Sequence, residues 1–124
     1  MIQPLVLVLY EKLMPGSQLV NRLQDLHYRV QPLTGAGQLV ACAETEGPML
    51  VLADLESTGA DICAVIASLR HKPATAHIPV IAFAPEHALQ LQAAAHEAGA
   101  TLVVNDAALL NHLPQLLNQA LQME

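Results

Sequence analysis

Five short strand-like segments, each followed by a stretch with helical spacing, constrain the fold of this 124-residue chain more than any other feature. The segments are residues 4–10, 28–33, 49–53, 78–84 and 101–104. Four of them are continuous apolar runs, which are typical of strands buried on both faces. Apolar residues then recur at three- and four-residue intervals, which predicts a helix after each strand. Right-handed crossovers would assemble these units into an α/β fold with a doubly wound, five-stranded parallel sheet.

Residues that break or cap helices mark the predicted helix ends. Ser17 follows Pro15 and Gly16 and is predicted to cap the first helix. Pro114 is placed in the first turn of the last helix, because a proline deeper inside would cost about 3 kcal/mol. The other ends are marked by Gly47-Pro48, Lys72-Pro73 and Gly99.

Chain length and residue usage favour one domain with an aliphatic core. A chain of 124 residues matches the usual size of a compact domain, so we expect a single domain over residues 1–124. The aromatic side chains are limited to Tyr10, Tyr28 and Phe83. The core is therefore expected to consist of Leu, Val, Ile and Ala.

The charge pattern argues against a nucleic-acid partner, and the pattern of apolar residues argues against a membrane segment. Five Lys and Arg stand against 11 Asp and Glu, a net charge of −6, and all five basic residues lie at or before Lys72. Binding nucleic-acid phosphates requires clustered basic residues, which this sequence lacks. The apolar stretch of residues 5–9 is too short to span a membrane, and no leader pattern precedes it. We therefore expect a cytoplasmic location.

The candidate site is expected at the carboxyl ends of the strands, where doubly wound sheets bind their ligands. The acidic residue that follows the third strand, Asp54, is the strongest candidate there. No glycine-rich phosphate loop, nucleophile elbow or zinc motif occurs in the sequence. Cys42 and Cys63 are far apart and are interpreted as small core residues, and the six histidines show no metal-ligand spacing.

The segment PMLVLADLESTGAD, which contains Asp54 and Asp61, resembles the receiver (CheY-like) domains of response regulators. HKPATAHIPVIAFA resembles the receiver segment that leads into the fourth strand, and HEAGATLVV resembles the stretch around the fifth. The resemblance covers essentially the whole chain. It implies a flavodoxin-like (βα)5 three-layer sandwich with Asp54 at the phosphoacceptor position.

The same resemblance implies a weakened metal site. Receivers carry two acidic residues after the first strand, which hold Mg²⁺ together with the phosphoacceptor through hard oxygen ligands. Those places fall on Tyr10 and Glu11 in this sequence, so one carboxylate is lost. Glu11 and Asp54 remain as candidate ligands, and we expect Mg²⁺ to bind weakly or not at all.

Three further receiver positions carry unexpected residues. The Ser or Thr that follows the fourth strand is Ala84, the aromatic residue of the fifth strand is Val103, and the Lys beyond it is Asp106. The exchange at Asp106 places an anion where a cation would pair with the phosphoryl group. The resemblance therefore implies a receiver site that accepts phosphate poorly.

These observations favour a stand-alone atypical or pseudo-receiver domain. It would act in two-component-type signal transduction through protein–protein interaction, with weak or no phosphorylation and no enzymatic activity. The expected partner is a histidine kinase, a phosphotransfer protein, an output protein or a second copy of the chain. One alternative is a functional receiver phosphorylated on Asp54 in a phosphorelay. The other is a small ligand-binding or enzymatic domain of the same fold.

A neutral surface is the expected contact region. It comprises the helix of residues 86–98, the strand of residues 101–104 and the last helix around residues 113–121, in a half of the chain without Lys or Arg. Removing neutral polar side chains from water costs less free energy than removing charged ones. The residues expected to be exposed there are Gln90, Gln92, His96, Gln115, Asn118 and Gln119.

Overall fold

A computed structural model of the chain describes residues 5–9, 13–33, 36–55, 62–73, 75–85 and 87–122. The strands are β1 (Leu5–Leu9), β2 (Arg29–Leu33), β3 (Leu50–Asp54), β4 (Val80–Ala84) and β5 (Leu102–Asn105). The helices are α1 (Leu13–Asp25), α2 (Ala36–Glu46), α3 (Ile62–His71), α4 (Leu89–Ala98), α5 (Asp106–Asn111) and α6 (Leu113–Gln122). None of the helices in these ranges is long and apolar enough to cross a membrane.

The five strands form one parallel sheet in the order β2-β1-β3-β4-β5. This order confirms the α/β fold class and the parallel sheet predicted from the sequence. Every residue of β1, β3 and β4 is buried, whereas β2 and β5 lie at the two edges of the sheet. The apolar runs of the sequence therefore correspond to the central strands, as expected for strands covered on both faces.

Side chains alternate between the two faces of the sheet and form two core clusters. On β1, Leu5, Leu7 and Leu9 pack with α2, α3 and α4, while Val6 and Val8 pack with α1, α5 and α6. We call these the α2–α4 layer and the α1–α5–α6 layer. With the sheet between them, they give the three-layer sandwich expected from the sequence.

Within the described ranges, three helices are followed by a residue with left-handed backbone conformation and lead directly into the next strand. The residues are His27 (φ 70°), Gly47 (φ 59°) and Gly99 (φ 108°). At the end of α1, the Tyr28 amide donates to the Leu23 carbonyl oxygen at 3.0 Å, as in a Schellman motif. Each turn satisfies carbonyl groups at the helix end and lies at the amino-terminal edge of the sheet.

The predicted start of the first helix was wrong. The first helix begins at Leu13, so Pro15 and Gly16 lie inside its first turns and Ser17 does not precede it. This is tolerated because the first amides of a helix have no partner within the helix. The last helix, expected around residues 113–121, corresponds to α6, and Pro114 is its second residue, within the first turn as predicted. The short helix α5 that precedes it was not predicted.

Candidate functional site

Asp54 is the last residue of β3 and is only 4% exposed. The Leu55 amide donates to the Phe83 carbonyl oxygen at 2.9 Å, so pairing between β3 and β4 continues one residue past Asp54. Leu50 and Leu52 face the α1–α5–α6 layer, and alternation along the strand places the Asp54 side chain on the same face. The carboxyl group is therefore held in a fixed, buried position at the carboxyl end of the sheet.

Burial of its carboxyl group makes Asp54 a stronger candidate for a functional residue than its position in the sequence alone does. In the described part of the chain, the buried residues with polar or charged side chains are Asp54 and Thr75. Thr75 has a local structural role, because its hydroxyl donates to the Leu69 carbonyl oxygen at 2.7 Å. Asp54 instead lies at the edge where parallel sheets of this type bind ligands. Burial of an acid is costly and is commonly found at functional sites.

The receiver positions on the two neighbouring strands, Ala84 and Val103, have apolar side chains. Ala84 ends β4, is fully buried and belongs to the core cluster of the α2–α4 layer together with Ala53 and Ala82. Val103, in β5, is half-buried at the rim of the same cluster. Neither Ala84 nor Val103 has a side-chain donor that could bind a phosphoryl oxygen.

Asp106 is the first residue of α5 and is half-buried, with its Oδ1 atom shielded from solvent. The preceding residue, Asn105, caps the helix, since its Oδ1 atom accepts a hydrogen bond from the Ala108 amide at 2.7 Å. Asn105 also pairs with Ala84 across β4 and β5, which places the start of α5 at the carboxyl end of the sheet. An acid in the first turn of a helix is stabilised by the helix dipole, so Asp106 also has a local structural role.

The predicted Mg²⁺ ligands are only partly described. Asp54 is placed as above, whereas Tyr10, Glu11 and Asp61 lie outside the described residues. Weak Mg²⁺ binding by Glu11 and Asp54 therefore stays a prediction. Within the described ranges, no group of three or more His, Cys, Asp or Glu side chains could hold a metal ion. Cys42 and Cys63 are half-buried and lie at the rim of the core.

The structure places most of the predicted contact residues on the surface and corrects one. Gln90, His96, Gln115, Asn118 and Gln119 are exposed. Gln92 is half-buried instead, and its Nε2 atom donates to the Pro85 carbonyl oxygen at 3.0 Å. Gln92 therefore connects α4 to the end of β4 and is not a free surface side chain.

Two exposed leucines on α4 were missed by the sequence analysis. Leu89 is 69% exposed and Leu91 is 37% exposed, while the residue that α4 buries is Ala95. The spacing of Leu89 and Leu91 could have indicated that they do not both face the core, because residues two apart on a helix do not face the same side. The surface of α4 is therefore more apolar than the sequence analysis expected.

Comparison with known proteins identifies the fold. No protein-family model matches the sequence, and no curated protein matches it either. Among solved structures, it is similar to the receiver domain of a Pseudomonas aeruginosa sensor histidine kinase, which has a magnesium ion coordinated in its active-site cleft (17% identity, TM-score 0.88, 98% of this chain and 99% of that chain). It is also similar to the receiver domain of a Syntrophus aciditrophicus histidine kinase (18%, 0.85, 97% and 91%) and to that of a Desulfovibrio desulfuricans diguanylate cyclase (20%, 0.82, 98% and 96%). The chain has the receiver fold.

Proposed function

We propose that this chain, which has the receiver fold, acts in two-component-type signal transduction by binding proteins, with little or no phosphorylation of Asp54. The proposal rests on one observation: a buried acid lies at the phosphoacceptor position, but the residues at the neighbouring receiver positions do not suit a phosphoryl group. Asp54 lies at the carboxyl end of β3, where a receiver carries its phosphoacceptor. Ala84 has no hydroxyl group, and the first residue of α5 is the acid Asp106.

The chemistry of a phosphoryl group explains why these residues matter. Phosphorylation adds a charge of about −1.5 to −2 and three acceptor oxygens. Such a group is stabilised by cations and by hydroxyl or amide donors. Ala84 supplies no donor, and the negative charge of Asp106 would raise the electrostatic free energy of the product.

The same features favour a role in which contacts, and not phosphorylation, carry the signal. A switch requires that the modified and unmodified states differ in free energy through specific new interactions. With Ala84 in place of a hydroxyl residue, a phosphoryl group on Asp54 would have little means of moving the end of β4. We therefore propose binding to a histidine kinase, a phosphotransfer protein, an output protein or a second copy, in the cytoplasm and without catalytic activity.

Reaction with a small phosphodonor tests the proposal directly. The protein is incubated with acetyl phosphate and Mg²⁺, and its intact mass is measured. We expect no stable adduct of one phosphoryl group. A stoichiometric adduct that disappears in the Asp54→Asn variant would overturn the proposal and would favour a functional receiver in a phosphorelay.

A gain-of-function variant tests the assignment of positions. The double substitution Ala84→Thr and Asp106→Lys should increase the phosphorylated fraction, because it restores a hydroxyl donor and a cation. An unchanged phosphorylated fraction in the double variant would show that the positions are assigned wrongly.

Titration calorimetry with Mg²⁺ tests the weakened metal site. The unmodified protein is compared with Glu11→Gln, and we expect weak binding or none. A tight Mg²⁺ site that is lost in Glu11→Gln would contradict the weakened metal site.

A further inference from the structure

A groove follows α1 on the surface of the α1–α5–α6 layer. Its first part is a cavity of about 350 Å³ between α1 and the end of α5. Its second part is a cavity of about 230 Å³ between the end of α1, the start of β2 and α6. Asp25 lines the first part and Leu26 lines the second, so the two parts follow one another along α1. We call them the polar part and the apolar part of the groove, and together they have the size of a cleft for a small molecule.

The polar part of the groove presents opposite charges side by side. Its α1 wall carries polar side chains at spacings of three and four residues, which places them on one face of the helix. They are Gln18, Asn21, Arg22 and Asp25. Asn111, the last residue of α5, lies on the other wall. One guanidinium group, one carboxylate and three side-chain amides therefore line a single cavity.

The charged groups of Arg22 and Asp25 are available to a ligand. Both side chains are exposed, and residues three apart on a helix are close enough to form an ion pair. In the described part of the chain neither takes part in an ion pair, whereas Lys72 and Glu44 form one at 2.6 Å. The helical rise separates the two positions by about 4.5 Å along the axis of α1. A cation and an anion so close together suit the carboxylate and the ammonium group of a free amino acid.

The apolar part of the groove suits a large apolar side chain. Among its lining residues, Leu117 is buried, Tyr28 is half-buried and Leu26 is 37% exposed. Pro114, near the start of α6, adds a further apolar surface. Covering these groups removes apolar surface from water, and an aromatic ring gains in addition from contact with the ring of Tyr28.

The charge of the chain narrows the class of ligand further. The net charge of −6 disfavours any ligand that is an anion overall. The groove itself contributes one cation, Arg22, and one anion, Asp25. A zwitterion without net charge therefore matches both the groove and the chain that surrounds it.

We propose that this groove binds a free amino acid with a large apolar side chain. The Arg22 guanidinium group donates to the carboxylate of the ligand, and the Asp25 carboxylate accepts from its ammonium group. The apolar side chain of the ligand lies against Tyr28 and Leu117. The inference goes beyond the proposed function, because it gives the domain a small molecule to detect, and it does not depend on the chemistry of Asp54.

Titration calorimetry with L-phenylalanine tests the two charged contacts. We expect saturable binding of one molecule per chain. Arg22→Gln and Asp25→Asn should each weaken binding about tenfold or more, because each leaves one charge of the ligand without its partner. The matched controls are Arg29→Gln and Glu46→Gln, which remove the same charges at exposed positions that do not line the groove. Both controls should bind L-phenylalanine as the unmodified protein does.

Changes to the ligand test the same contacts without altering the protein. N-acetyl-L-phenylalanine lacks the ammonium group, L-phenylalaninamide lacks the carboxylate and glycine lacks the apolar side chain, so each should bind about tenfold more weakly or not at all. The inference is overturned if L-phenylalanine does not bind at millimolar concentrations, or if Arg22→Gln and Arg29→Gln bind it equally well. A groove that binds another protein through Arg22 and no amino acid would also overturn it, and would leave the proposed function standing. A phosphoryl adduct on Asp54 would overturn the proposed function alone.

Discussion

Helices α3 and α4 lie side by side on the same face of the sheet and have ten residues each, yet they are held in different ways. Helix α3 buries the large side chains of Ile62, Ile66 and Leu69. Helix α4 buries Ala95, and Leu89 on it is 69% exposed. Full burial of a Leu or Ile side chain contributes about 1.5–3 kcal/mol, so packing stabilises α3 far more than α4. Two helices of one layer can therefore differ in role: α3 supplies large side chains to the core, whereas α4 presents its large side chains at the surface.

The strand beneath α4 explains this difference. Ala82 and Ala84 of β4 face the α2–α4 layer, and Ala95 of the helix belongs to the same core cluster. Small side chains on both elements allow close packing, which leaves no space for a leucine between them. Helix α4 gains a polar contact as well, the hydrogen bond from Gln92 to the Pro85 carbonyl oxygen.

The largest loss of stability is expected when a buried side chain of α3 is removed. Ile66 is fully buried, and Ile66→Ala removes apolar contacts and leaves a cavity. We expect the free energy of unfolding to fall by about 2–5 kcal/mol. Urea denaturation followed by circular dichroism measures it. A loss below about 1 kcal/mol would show that α3 is not held by its large side chains.

An intermediate effect is expected where the end of α4 contacts α3. Gly99 has φ 108°, and a Cβ atom there would lie 2.9 Å from Cγ of Arg70. We expect Gly99→Ala to cost about 2 kcal/mol, from backbone strain together with the contact. Gly47→Ala is the control, because φ is 59° and no atom lies within 4 Å of the added Cβ. Equal losses in thermal or urea denaturation would mean that the contact with Arg70 contributes nothing.

A smaller effect is expected from the polar contact of α4. Gln92→Ala removes the hydrogen bond to Pro85 and should lower the free energy of unfolding by about 0.5–1.5 kcal/mol. The exposed Gln90 provides the control, and Gln90→Ala should leave the stability nearly unchanged. If both variants unfold at the same urea concentration as the unmodified protein, the hydrogen bond does not hold α4.

The smallest effect is expected at the leucine that α4 exposes. Leu89→Ala should change the free energy of unfolding by less than about 0.5 kcal/mol, because the side chain loses little burial. The difference in the free energy of unfolding between Leu89→Ala and Ile66→Ala, measured in the same denaturation experiment, should be the largest of these comparisons between the two helices. A loss above about 1.5 kcal/mol would show that Leu89 belongs to the core, and the contrast would fail.

The sequence predicts the layers of this molecule better than the orientation of single helices. The order of strands and helices followed from apolar runs such as residues 49–53, because few other structures bury such runs. The inner face of α4 could not be predicted in the same way, since hydrophobicity alone favours burying Leu89 over Ala95. That choice depends on the alanines of β4, which contact the helix only in the folded state.

The candidate site shows the same division. Asp54 was predicted at a strand end because an acid directly follows an apolar run, and the structure places it there in a buried position. The separate short helix α5 and its capping by Asn105 were not predicted. Both depend on local backbone geometry that hydrophobic periodicity does not encode.

The three left-handed turns have a consequence for how such a domain can evolve. His27, Gly47 and Gly99 fix the helix ends at the amino-terminal edge of the sheet, whereas Asp54 and Ala84 lie at the opposite edge. The residues that fix the helix ends and the residues of the candidate site therefore form separate sets. Mutations can erase one set under relaxed selection while the other keeps the scaffold intact. Residues of the candidate site can in this way change while the fold is retained.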